Sequence, residues 1–246
     1  QRSGDRLRQW SAELDARAIS TPIVWGNRNS EPFIADALRA SHAAGHRRVV
    51  ALTTSAYSCY SSCRQYRENL ADAAAAVAED GIELQIDKVS QYDRRPGFAA
   101  ANAGELVRSL RALDGAPDAE IALLFVTHSI PDAMDDTSGP GDGDGNLYQR
   151  QHLALASQLA ERAGRVLGRE LTGELVFCSR SGPPTQPWLE PDINDRLRQL
   201  AAEGVRTAVI VPLGFVSDHM EVVYDLDTEA QQTADELGLR LVRVPT

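Results

Sequence analysis

The feature that most constrains this chain is an alternation, kept up over nearly its whole length, of short apolar runs suited to β-strands with longer stretches of helical spacing. In the second half the runs Ile121 to Thr127, Glu174 to Ser179, Thr207 to Val211 and Arg240 to Val244 alternate with helical stretches at Tyr148 to Val166, Ile193 to Glu203 and Met220 to Leu237. In the first half, Arg6 to Ala18 carries Leu7, Trp10 and Leu14 at helical spacing, and Pro22 to Trp25 reads as a short buried strand. A helix from about Pro32 to Ala43, with Phe33, Ile34, Ala37 and Leu38 as its apolar face, precedes the strand-like run Arg48 to Leu52. The alanine-rich helix Tyr66 to Ala78 ends before Gly81, Ile82 to Val89 alternates like a strand, and a further helix covers Ala100 to Leu113. Parallel strands need a crossover between them, which the intervening helices supply, and those helices in turn cover both faces of the sheet. The predicted class is α/β. The turn Asp114-Gly115-Ala116-Pro117 is the best boundary, giving two doubly wound lobes over 1–117 and 118–246.

At 246 residues, 43% of them hydrophobic, the chain can bury a sizeable core. A formal net charge of −10 with no basic patch argues against a phosphate-backbone binder, so no nucleic-acid partner is expected. No apolar run approaches the ~20 residues of a membrane-spanning helix, and no transmembrane segment is expected. Cys59, Cys63 and Cys178 are too few and odd in number for a disulfide framework, which points to a reducing cytoplasm.

In doubly wound sheets ligands bind beyond the carboxyl ends of the strands, and the unusual residues of this chain collect there. After Phe125-Val126 comes Thr127-His128-Ser129-Ile130-Pro131, which places a histidine at a strand end; imidazole can take a proton near neutral pH or bind a metal, or simply hydrogen-bond the loop backbone. The last such loop opens a helix on which Glu221, Asp225 and Glu229 recur every four residues, stacking three carboxylates on one face with no Lys or Arg between them. A solvated acidic face would look the same. Beside Asp218 and His219 at a strand end, however, a row of hard oxygen ligands suits the passage of a hydrated divalent cation or of protons.

Five stretches make the comparison specific. They are Gly26-Asn27-Arg28-Asn29, Thr54-Ser55-Ala56-Tyr57 to Cys63-Arg64-Gln65-Tyr66, Thr127 to Pro131, Pro187-Trp188-Leu189-Glu190-Pro191, and Phe215-Val216-Ser217-Asp218-His219-Met220-Glu221. In this order they resemble the ferrochelatases, of the actinobacterial, coproporphyrin III type, and the chain resembles an internal segment of one. The resemblance implies two flavodoxin-like, chelatase-like lobes with a porphyrin cleft between them, the N-terminal one lacking its first strand. It implies insertion of Fe²⁺, as substrate, into a porphyrin in heme biosynthesis, with coproporphyrin III ahead of protoporphyrin IX and no cofactor needed for the chemistry. His128 matches the proton acceptor or metal ligand, and Glu221 the carboxylate facing it across the macrocycle. Asp225 and Glu229 match the metal and proton relay behind that glutamate, and Arg28, Tyr57, Trp188 and Phe215 match positions lining the porphyrin pocket.

Ser30 stands where the family pattern usually has an aromatic residue, which leaves one pocket contact open. Cys63 resembles the position of one [2Fe–2S] ligand in cluster-bearing relatives, but three cysteines cannot make a four-thiolate site, so a cluster requires a longer parent chain that supplies more. The run Gly139 to Asn146 fails as a calcium loop, with Leu147 at the glycine position and Leu153 at the bidentate-glutamate position, and reads as a flexible loop. The resemblance favours a monomer. The alternatives are a related cobalt or nickel chelatase and a non-catalytic porphyrin binder.

Overall fold

A computed structural model describes residues 2–113, 121–141, 143–183 and 185–246. The chain folds into two compact units, the first made of Gln1–Thr53 with Arg64–Val89 and the second of Thr54–Cys63 with Ser90–Thr246. The turn Asp114 to Pro117, expected as the boundary, lies outside the described residues. The helix Pro96–Arg111 that precedes it nevertheless belongs to the second unit, as does the loop carrying Tyr57.

The first unit contains helix α1 (Arg2–Ala16), helix α2 (Ile34–Ala43), strand β1 (Arg48–Ala51), helix α3 (Gln65–Ala78) and strand β2 (Gln85–Lys88). β1 and β2 pair in parallel, with Val49 opposite Ile86. Leu38, Ala73 and Val77 pack against Val49, Leu84 and Ile86, so α2 and α3 cover one side of this ribbon, while Val50 remains 65% exposed. The expected strand Pro22 to Trp25 does not form. Among the described residues no strand pairs with it, and without a ladder partner its backbone groups have no reason to stay extended. Val24 is exposed rather than buried.

The second unit is built on four parallel strands in the order β4-β3-β5-β6, with β3 spanning Ile121–His128, β4 Glu174–Cys178, β5 Thr207–Val211 and β6 Arg240–Arg243. Alternate residues of β3 face opposite sides. Leu123 and Phe125 pack with α4 (Pro96–Arg111) and α6 (Leu147–Leu167) through Leu106, Leu110, Leu155 and Leu159. Leu124 and Val126 pack with α7 (Ile193–Ala202) and the last helical segment through Ile193, Leu197, Val222 and Leu226. Covered on both faces, β5 is buried at all five positions, which is why it reads as an unbroken apolar run. A short helix, α5 (Asp132–Asp136), follows β3. Its buried Asp135 accepts from the Gln149 N–H at 3.4 Å, and Ser138 Oγ accepts from the Tyr148 N–H at 3.0 Å. These contacts satisfy first-turn donors of α6, whose own N-cap residue makes no side-chain cap.

The single helix expected over Met220 to Leu237 is divided into α8 (Met220–Tyr224), a π-helical turn (Asp225–Ala230) and α9 (Gln231–Leu237). The sequence explains the widening. Val222, Leu226, Ala230 and Ala234 are all fully buried and recur strictly every four residues. In an α-helix each step of four overshoots a turn by about 40°, so the last of them would swing away from the core. The wider π turn makes four residues fall short of a full turn and cancels that drift. Glu221, Asp225 and Glu229 each precede one of these buried residues, and the same correction keeps them in register.

Candidate active site

His128 is the last residue of β3, half-buried, with Nδ1 in contact with the Ser129 carbonyl. A carbonyl can only accept, so Nδ1 carries the proton and Nε2 presents its lone pair. The backbone at this point is held from behind. Tyr148 donates its hydroxyl to the His128 carbonyl at 2.9 Å and lies 2.8 Å from Thr127 Oγ1. Thr127 Oγ1 is 3.0 Å from Nε2 of His152, whose Nδ1 is 2.8 Å from the Tyr148 carbonyl. By the same reasoning Nδ1 of His152 is the protonated nitrogen and the threonine hydroxyl donates to Nε2. Complete burial drives the His152 pKa down to about 3, so this ring is a neutral structural bridge.

The loops that follow β3 and β4 are tied together. The Ser129 N–H donates to the Cys178 carbonyl at 2.7 Å, Ser129 Oγ to the Leu189 carbonyl at 2.9 Å, and the Leu189 N–H to the Ile130 carbonyl at 3.0 Å. Trp188 is thereby fixed opposite Pro131. Its indole lies over Gly182, where a Cβ would fall 2.3 Å from the ring, and its Nε1–H is buried without a hydrogen-bond partner.

The loop after β5 supplies the acids. It passes so close to β3 that a Cβ on Gly214 would lie 2.0 Å from Thr127 Oγ1. Phe215 is buried and meets the His219 ring edge-on at 5.3 Å. His219 Nδ1 is 3.7 Å from Glu221 Oε2. Burial lowers the His219 pKa; His128 also lowers it, while Glu221, Asp218 and Asp225 oppose the shift, so these side chains share one electrostatic neighbourhood. Asp225 is half-buried and accepts the Ser179 hydroxyl hydrogen bond. Arg243 ion-pairs with Asp218 at 3.0 Å and with Asp227 at 2.7 Å. Among the described residues no Lys or Arg pairs with Glu221, Asp225 or Glu229, and no three His, Cys, Asp or Glu side chains converge to hold a metal ion.

His128, Glu221 and Asp225 thus share one corner of the second unit, with Glu229 farther along the π turn. Tyr57, expected to line a porphyrin pocket, packs in the interior of the second unit. It is 2% exposed, its ring stacks on His152 at 3.6 Å and its hydroxyl donates to the Leu213 carbonyl at 2.7 Å. Phe215, also expected to line the pocket, is 7% exposed. In the first unit the Arg28 guanidinium sits 4.8 Å above the Tyr66 ring, and its Nε is buried without a partner. Cys63 is half-buried and accepts from the Gln91 amide, Cys59 is engaged by Ser61 and Ser62, and burial pushes the Cys178 thiol up to about 12. No sequence signal marks Tyr148 or His152, and the strand expected through Ser179 ends one residue earlier, at Cys178. Among the described residues no helix is long and apolar enough to cross a membrane.

A family model described as Ferrochelatase matches residues 4–246. The chain is 49% identical to a protein of Leifsonia xyli subsp. xyli named coproporphyrin III ferrochelatase, over 96% of this chain and 63% of that relative. It is 48% identical to a protein of the same name from Streptomyces coelicolor, over 98% of this chain and 64% of that relative. The chain therefore spans a little under two thirds of the length of the curated relatives it matches. A solved structure titled SirB from Bacillus subtilis with Fe3+ aligns at a TM-score of 0.55 and 13% identity, over 98% of this chain and 82% of that one, and bears on the fold alone.

Proposed function

The chain belongs to the ferrochelatase family, and we propose that it inserts ferrous iron into a porphyrin in heme biosynthesis, with coproporphyrin III as the preferred substrate. The names of its relatives support that choice of substrate. The observation that carries the mechanism is the tautomer of His128. With its Nδ1 proton given to the Ser129 carbonyl, Nε2 is a free base at the mouth of a parallel sheet.

A free-base porphyrin holds two pyrrole N–H protons, and Fe²⁺ replaces both, so each turnover releases two protons. His128 Nε2 accepts a pyrrole proton as general base. Glu221 and Asp225, which lack a cationic partner among the described residues, attract the incoming dication and pass protons outward toward Glu229. Hard, open carboxylates hold Fe²⁺ loosely enough to release it. Within the second unit the half-buried Trp188 offers an apolar surface.

The test mixes the protein with coproporphyrin III and Fe²⁺ anaerobically and follows the change from free-base to metalloporphyrin absorption. His128→Ala is expected to keep porphyrin binding and to lose at least about 100-fold in insertion rate, the scale of general-base catalysis. Glu221→Gln is expected to slow insertion as well. Insertion near the wild-type rate in His128→Ala would remove its assigned role, and porphyrin binding without insertion by the unaltered chain would make it a binder.

A further inference from the structure

Ser179 is the first residue past β4 and has a φ of +63°, a left-handed conformation that non-glycine residues rarely adopt. Among the described residues the other non-glycine ones with positive φ are Ala18, just past α1, and Asn146, the N-cap residue of α6. Ser179 caps no helix. What its backbone achieves is to turn the side chain so that Oγ donates to Oδ2 of Asp225, at the start of the π turn. The same backbone is anchored beside His128, because Cys178 is the register partner of His128 and its carbonyl accepts the Ser129 N–H.

We infer that Ser179 is a positioning residue for Asp225. Its hydroxyl occupies Oδ2 and selects one orientation of the carboxylate, which leaves Oδ1 to meet a divalent cation in the corner that holds His128 and Glu221. The unusual backbone at Ser179 persists because it serves this hydrogen bond. The inference takes its cation from the metal-insertion reading, but it can be tested apart from turnover.

The discriminating variants follow from the backbone. Ser179→Gly removes the hydroxyl while keeping the left-handed conformation free of steric cost. Ser179→Asn also tolerates that conformation and restores an N–H donor. Co²⁺ binding is measured by calorimetry for the wild type, Ser179→Gly, Ser179→Asn, Asp225→Asn and the Ser179→Gly/Asp225→Asn pair. Loss of a hydrogen bond to a charged group predicts about tenfold weaker binding in Ser179→Gly. The denaturation midpoint should stay close to wild type, Ser179→Asn should recover most of the affinity, and the pair should be no weaker than Asp225→Asn alone. In steady-state insertion the KM for Fe²⁺ should rise while the KM for coproporphyrin III holds. Wild-type Co²⁺ affinity in Ser179→Gly, no measurable Co²⁺ binding by the wild type, or an equal further loss on the Asp225→Asn background, overturns the inference. A wild type that binds Co²⁺ with this pattern of coupling but inserts no iron overturns the proposed function and leaves the positioning role standing.

Discussion

Acidification should destabilise the second unit through His152, and the size of the effect can be worked from its surroundings. Burial lowers the pKa of this ring from its ordinary 6.5 to about 3. In the native state Nε2 accepts from Thr127 and Nδ1 faces the Tyr148 carbonyl, so a second ring proton would have to turn the Thr127 hydroxyl round into an acceptor and would leave a charge buried away from water. Below pH 6.5 the unfolded chain takes up a proton that the folded chain refuses. Stability is therefore undiminished above about 6.5 and falls by about 1.4 kcal/mol per pH unit as pH drops toward 3, where the loss levels off. At pH 5 the loss is about 2 kcal/mol, a sizeable part of the 5–15 kcal/mol that holds a typical domain together. Urea denaturation at pH 7.5 and pH 5 would measure it in the wild type and in His152→Gln, which keeps a neutral donor and acceptor but cannot titrate. Subtracting one pH dependence from the other cancels the contributions of the carboxylates and the other histidines. An equal loss in both proteins, or an NMR titration of the His152 ring near 6.5, would refute the reasoning.

Two further outcomes follow from the packing. Gly214→Ala would drive a methyl carbon into Oγ1, Cβ and Cα of Thr127, and since that Cα is β3 backbone the strand end carrying His128 must shift; we expect about 1–3 kcal/mol of destabilisation, measured by denaturant midpoint. Leu226→Ala, at a fully buried position in the π turn, should cost about 2–5 kcal/mol by the same measurement, and a cost below 1 kcal/mol would mean that the turn is not held by core packing.

The acid row illustrates how much was legible in advance. A strict four-residue repeat of Glu221, Asp225 and Glu229 is plain in the sequence, and so is the parallel repeat of Val222, Leu226, Ala230 and Ala234. Read as an ordinary helix, that pattern drifts around the axis; read as a strict period of four, it already calls for a widened turn. His128 was legible because a polar residue directly after an apolar strand in a doubly wound sheet falls where ligands bind. The burial of Tyr57 was not legible, because it depends on Phe98, Tyr148 and His152, 41 or more positions away along the chain.

The sequence by itself determined the α/β class, the order of most elements and the strand end at which the histidine stands, since those follow from local periodicity and from the need to cover parallel strands on both faces. Only the tertiary structure decided the tautomer of His128, the neutrality of His152, the left-handed turn at Ser179 and its bond to Asp225, and the absence of a strand at Pro22 to Trp25. Each of these depends on which group from a distant part of the chain arrives within hydrogen-bond reach, and a hydrogen bond is satisfied by distance and angle in space, whatever the separation in sequence.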